Sequence, residues 1–192
     1  MRARRLVDAT LTVAVLAAMV ALHAGTPTVD DFQSPVEVRG AVGEQARLPR
    51  LALTVSGVRV GQRLSVTGTP APLTTATSFV VVDAVATARE QPLTIDRVSV
   101  RSSDGARYLA SRRAGYQGQE LTDVALAPDI PAHGSFVIEM PADRLPGAEL
   151  EVVPDTNIYG LEPQLTIPLD VSADHVAERP AAVVELTGAS TA

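Results

Sequence analysis

The chain has 192 residues, 46% hydrophobic and 3% aromatic, with fourteen Pro, thirteen Gly, no Cys and no Trp. That length fits one ordinary domain with terminal extensions, and the lack of Cys excludes disulfides, thiolate metal sites and cysteine nucleophiles. The formal charge of −6 offers nucleic acid no basic face and gives anionic lipid no attraction.

Arg2, Arg4 and Arg5 stand before an apolar run, "DATLTVAVLAAMVALHAG", from Asp8 to Gly25. Basic residues followed by such a run are the pattern of an export leader, and the Arg bias places the N-terminus inside. As a helix, Leu6 to Ala24 would reach roughly 28 Å at about 1.5 Å per residue, close to a hydrocarbon core. Asp8 falls in the first turn, where a carboxylate suits the helix dipole. Signal peptidase needs small residues at −3 and −1. Cutting after Ala24 puts Leu22 at −3, cutting after Gly25 puts His23 there, and cutting after Ala21 puts Met19 there. The expectation is therefore an uncleaved signal anchor over 1–25, single-pass in the cytoplasmic membrane, with the rest on the outer face. A cleaved leader would instead make the protein secreted. Beyond Ala24, 13 Arg remain against 21 acids, a net charge of −8.

Residues 26–35, "TPTVDDFQSP", are polar and Pro-bounded and read as a linker. From Val36 the pattern becomes short apolar runs of period two, the signal of half-buried strands. Val36 and Val38 alternate with Glu37 and Arg39. Leu51, Leu53 and Val55 share one parity, and Val58 and Val60 the other, so one extra residue, a β-bulge, is predicted at Ser56-Gly57. Phe79–Val82 is continuously apolar, as a central strand should be, and "EQP" at Glu90–Pro92 ends it. Val98 and Val100 open a hairpin whose Asp104-Gly105 dipeptide predicts a type I′ turn. Phe136, Ile138 and Met140 alternate before Pro141; Ala148, Leu150 and Val152 alternate with Glu149 and Glu151. Leu165, Ile167, Leu169 and Val171 follow the same rule, and an outward Pro168 among them predicts an edge strand.

Seven or eight strands separated by Gly, Pro and Asp turns, with only a possible helical turn at "PADRLPG", make the chain all-β. The expected architecture is an immunoglobulin-like antiparallel β-sandwich over 36–171, behind an N-terminal transmembrane helix. The remaining 172–192 are read as a flexible tail containing one apolar patch, "AAVVEL".

Two stretches, "TSFVVVDAVATA" with "VRSSDGARYLASRRA" and "LAPDIPAHGSFVIEMPADRLPGAELEV", resemble a broad family of exported bacterial Ig-like domains of unknown function. The first matches a strand of the type T-x-F-V-V-V-x-V before a D-x-x-G-x-x-Y hairpin, and the second the family's later strands. The resemblance covers Thr77–Val152, about half the chain. It departs where Asp129–Gly134 replaces a plain Pro-Gly turn. It implies the sandwich fold and a position behind a lipobox or a single anchor, and it implies no catalytic residues. All sixteen basic residues are Arg, which with the abundance of Ala and Val points to a GC-rich genome of actinobacterial type.

No catalytic or metal-ligating set emerges. His23, His133 and His175 share no ligand spacing. "HGSF" at His133–Phe136 lacks the Gly-x-Ser-x-Gly elbow, and Asp30-Asp31 lacks the carbonyl neighbours that calcium needs. The strongest surface stretch is "YLASRRAGYQGQE", where Tyr108, Arg112, Arg113, Tyr116 and Gln117 collect the residue types enriched at interfaces. The expected function is a non-enzymatic accessory domain without cofactor. It would be held at the membrane by one helix and bind an envelope or membrane protein through this hairpin end, with no nucleic acid. An extracytoplasmic ligand- or lipid-binding protein is the alternative.

Overall fold

A computed structural model describes residues 36–111, 113, 118–154, 163–171 and 183–191, with Met19 alone ahead of them. The chain divides into a unit of residues 1–34 and a unit of residues 35–192, and the fold described is the second. The expected anchor and linker fall outside the described residues, Met19 apart. Among the described residues no helix is long and apolar enough to cross a membrane.

Among the described residues eleven strands form: β1 (Glu37–Arg39), β2 (Gln45–Arg47), β3 (Leu51–Val66), β4 (Leu73–Ala88), β5 (Ile95–Arg101), β6 (Arg107–Leu109), β7 (Ala132–Met140), β8 (Glu149–Pro154), β9 (Gln164–Pro168), β10 (Val183–Leu186) and β11 (Ser190–Thr191). They make two sheets, ordered β1-β9-β8-β5-β6 and β10-β3-β4-β7-β11, with β2 also on β3. The chain changes sheet after β1, β4, β6, β7 and β9, so it is a β-sandwich with Greek-key connections. Single 3-10 turns lie at Leu121–Asp123 and Ala142–Arg144, the second inside "PADRLPG".

Alternation builds the main core as expected. Leu51, Leu53, Val55, Val80, Val82, Val100, Phe136, Ile138, Leu150, Val152, Leu165 and Ile167 meet between the sheets. The β3–β4 register skips a residue between Val55 and Gly57. That bulge returns Val58 and Val60 to the core side after the parity change. Phe79–Val82 lies in the middle of its sheet, wholly buried on both faces.

A second core lies on the outer face of that same sheet. Phe79, Val81 and Val137 point away from the main core and are covered by Leu64, Val66, Val184 and Leu186. The cover forms because the register shifts again between Gly61 and Arg63, where β3 jumps from Phe79 to Thr74 as partner. The tip of the long β3–β4 hairpin can then fold back over its own sheet, and β10 closes the remaining side.

Several expectations need correction. The sheets are not purely antiparallel, because β1 runs parallel to β9 and β10 parallel to β3. β9 is not an edge strand: it sits between β1 and β8. Pro168 is tolerated because β1 pairs only with Gln164–Thr166, so nothing needs its missing N–H on that side. The Asp104-Gly105 turn is not type I′. Gly105 alone has positive φ there, at 87°; its N–H donates to Ser102 O at 2.9 Å, and Ser102 N–H donates to Ala106 O at 2.9 Å. That is a type I turn closed by a left-handed Gly. Finally, Val183–Leu186 and Ser190–Thr191 of the expected flexible tail are strands. The alternation of "VVEL" buries Val184 and Leu186 while Val183 and Glu185 face out, which repays ordering the segment.

Candidate interaction surface

Tyr108 and Arg113, two of the residues expected to meet a partner, are placed on different sides of the sandwich. Tyr108 pairs with Val100 in the β5–β6 hairpin and turns half-buried onto the main core. Arg113 lies over the outer face of the other sheet. Its guanidinium carbon sits 5.9 Å from the centre of the Phe79 ring, and its Nη1 donates to Glu139 Oε1 at 3.2 Å and to Thr74 O at 3.4 Å. It thus pins the folded-back hairpin onto β7, and its carboxylate partner belongs to its own chain. Arg112, Tyr116 and Gln117 lie outside the described residues.

Several other described charges are also engaged within the chain. On the outer face of the first sheet, Glu151 is 2% exposed and is held by Arg101 Nε at 2.8 Å, Arg107 Nε at 3.0 Å and Ser99 Oγ at 3.1 Å. Arg101 Nη2 also donates to Glu149 at 2.6 Å. A nearly buried carboxylate is tolerable only with such partners. On the second sheet, Arg59 donates to both carboxylate oxygens of Asp83, at 2.7 and 2.5 Å, and to the Glu185 carbonyl at 2.6 Å. Ser135 Oγ donates to Asp83 Oδ1 at 2.7 Å. Arg144 contacts Asp104 beside the β5–β6 turn. Glu120, 2% exposed, accepts the Val137 N–H at 2.7 Å and so fills a gap in the β7 ladder. Exposed His133 faces outward on β7, two residues from Ser135. Among the described residues no cluster of three or more His, Asp or Glu could hold a metal.

What sequence reasoning missed is a groove of about 700 Å³ where the margins of the two sheets meet. One wall is the middle of β3, with Val58, Arg59 and Val60; Val42 closes one end and Val183–Glu185 of β10 the other. Leu169, Asp170 and Val171, just past β9, make the opposite wall. Val42, Val58, Val60 and Val171 are half-buried extensions of the main core, so the groove floor is apolar. Its rim carries Asp170 and Glu185. Asp170 has φ 50°, the left-handed region that a non-Gly residue seldom occupies. The parity change at Ser56-Gly57 and the "AAVVEL" patch were the two sequence signals that lay beside this groove.

No protein-family model and no curated protein matches the chain. Two solved structures are similar in fold. One is the yjhA protein from Bacillus subtilis, at 14% identity and a TM-score of 0.53, covering 68% of this chain and 99% of that one. The other is an uncharacterized β-sandwich protein from Clostridium difficile, at 10% identity and a TM-score of 0.48, covering 76% of this chain and 100% of that one. With the sheet arrangement, the first of these defines the chain as a β-sandwich protein.

Proposed function

We propose that this protein is a non-catalytic, immunoglobulin-like accessory domain held on the outer face of the cytoplasmic membrane by its N-terminal helix, where it binds an envelope or membrane protein. It would belong with the exported, single-anchor bacterial domains that Thr77–Val152 resembles. The observation that carries the binding role is how the described ionisable groups are used: Arg59, Asp83, Arg101, Arg107, Arg113, Glu139, Glu149 and Glu151 all pair within the chain. These pairs brace the sandwich itself, which leaves the valine-lined groove beside β3 as the surface with the shape to meet a partner. The anchor is supported by the Arg-flanked apolar run and by Leu22, His23 or Met19 at the position that a peptidase needs small.

Fractionation of cells making the full chain tests this. The expected result is full-length mass in the membrane fraction, resistant to high salt, with a protein in stoichiometric amount after detergent extraction. A mature form beginning near Gly25 in the medium would overturn the anchor, and extraction with no companion protein would overturn the binding role. A second reading, an envelope protein that takes an apolar ligand or lipid chain, is favoured by the valine-lined groove. Mass spectrometry of lipids retained through purification tests it.

A further inference from the structure

The tip of the β3–β4 hairpin reads "TGTPAPLTTATS" from Thr67 to Ser78. Charged residues make up 20% of the chain, yet none falls between Arg63 and Asp83. Five of the seventeen threonines lie instead within Thr67–Thr77, around Pro70-Ala71-Pro72. The fold fixes this segment by its main chain. Thr69 N–H donates to Val66 O at 3.0 Å, with Gly68 at φ 88°, the positive φ that a type II turn needs. Gln119 Nε2 holds Thr67 O at 2.9 Å, and Arg113 Nη1 holds Thr74 O at 3.4 Å. The side chains are left to solvent: Thr67, Pro70–Pro72, Thr74 and Thr77 are all exposed.

We propose that this tip is a site of O-glycosylation, with Thr74 as the principal acceptor of a hexose. The inference rests on the outer-face placement proposed above, where the donor is a hexose carried on a membrane isoprenoid phosphate. Threonine-rich segments interrupted by proline are the composition that carries O-linked sugar. Proline fixes φ and favours extended backbone, which holds the hydroxyls clear of the surface for a transferase to reach. Of the three exposed threonines, Thr67 Oγ1 donates to Leu186 O at 3.3 Å and Thr77 Oγ1 shares a bond with Thr75 Oγ1 at 3.1 Å. Thr74 therefore presents the least engaged hydroxyl. In the transfer, Thr74 Oγ1 attacks the anomeric carbon and the bond from that carbon to the phosphate oxygen breaks. The isoprenoid phosphate leaves with the electron pair, and the hydroxyl proton passes to a base of the transferase. The sugar hydroxyls then solvate an exposed stretch that has no charge of its own.

The test is mass spectrometry of the full chain purified from its own cells. Trypsin, which cuts after Arg, releases residues 64–89 as one peptide. Expected are whole-hexose additions on this peptide, removed by alkaline elimination and placed on Thr74 by electron-transfer fragmentation. Thr74→Val should cut the hexose on the peptide by more than half and leave Tm unchanged, as an exposed substitution does. Thr54→Val, a half-buried threonine outside the tip, should leave the hexose in place. Hexose confined to Thr26 or Thr28, which flank Pro27, would overturn the proposal, as would an alkali-stable addition or equal loss in both variants. An unmodified peptide from full-length chain in the membrane fraction would refute the site and leave the outer-face reading standing. Hexose on Thr74 of a chain released into the medium would uphold the site and refute the anchor. An unmodified chain in the cytoplasm would refute both.

Discussion

Val80 and Val81 are neighbours on one strand, equally buried, yet they belong to different cores. Val80 enters the space between the sheets, where nearly every strand contributes and long-range pairing is dense. Val81 faces outward into a cluster of seven buried residues, roofed by the bent end of β3 and the four-residue strand β10. The first core is intrinsic to the sandwich. The second is a cover added from the periphery, so one residue type at one level of burial has two different jobs.

One buried charge placed in each core should separate the two. Val82→Asp places an unpaired carboxylate in the main core, a cost of several kcal/mol against a typical total of about 5–15 kcal/mol. It should abolish the cooperative thermal transition seen by circular dichroism. Val81→Asp introduces the same charge under the roof, which can lift. The expected result is a lowered Tm with a cooperative transition retained, and fast hydrogen exchange confined to residues 183–186 and the β3–β4 tip. Equal outcomes for the two variants would mean that the cores are one unit.

Leu186→Ala removes part of the roof without charge and should cost about 2 kcal/mol, the low end for a buried Leu, because a short edge strand can relax into the space. Denaturant unfolding should show a lower midpoint at unchanged slope. The smallest effect belongs to Arg113→Ala. Its ion pair with Glu139 is half-exposed, and such pairs contribute about 0–1 kcal/mol. A larger loss would show that the pin between the hairpin tip and β7 is structural in its own right.

The main core was legible because period-two alternation reports which residues share a face. The same rule located the bulge at Ser56, from a parity change alone. The unbroken run Phe79–Val82 announced a central strand, but what roofs Phe79, Val81 and Val137 on the outer face was not legible. Their burial depends on Leu64, Val66 and Leu186 arriving from distant segments after a second register shift, and no local pattern encodes that. The tail misled for a related reason: Val183–Leu186 has only two inward residues, too few to announce a strand without the edge they dock against. At the surface, composition pointed to Tyr108 and Arg113, but only the fold reveals that one packs inward and the other meets Glu139. The groove beside β3 is lined by Val58 and Val60 on one side and Leu169 and Val171 on the other, segments that only the fold brings together.

Residue-resolved amide hydrogen exchange on the full chain tests the central claim most directly, since that claim concerns two cores on the two faces of one sheet. The account predicts the slowest exchange at Val80–Val82 and faster exchange at Val184 and Leu186, whose cover opens before the sandwich does. Amides of Val184 and Leu186 as slow as those of Val80 would contradict it, because the roof would then open only with the whole sandwich.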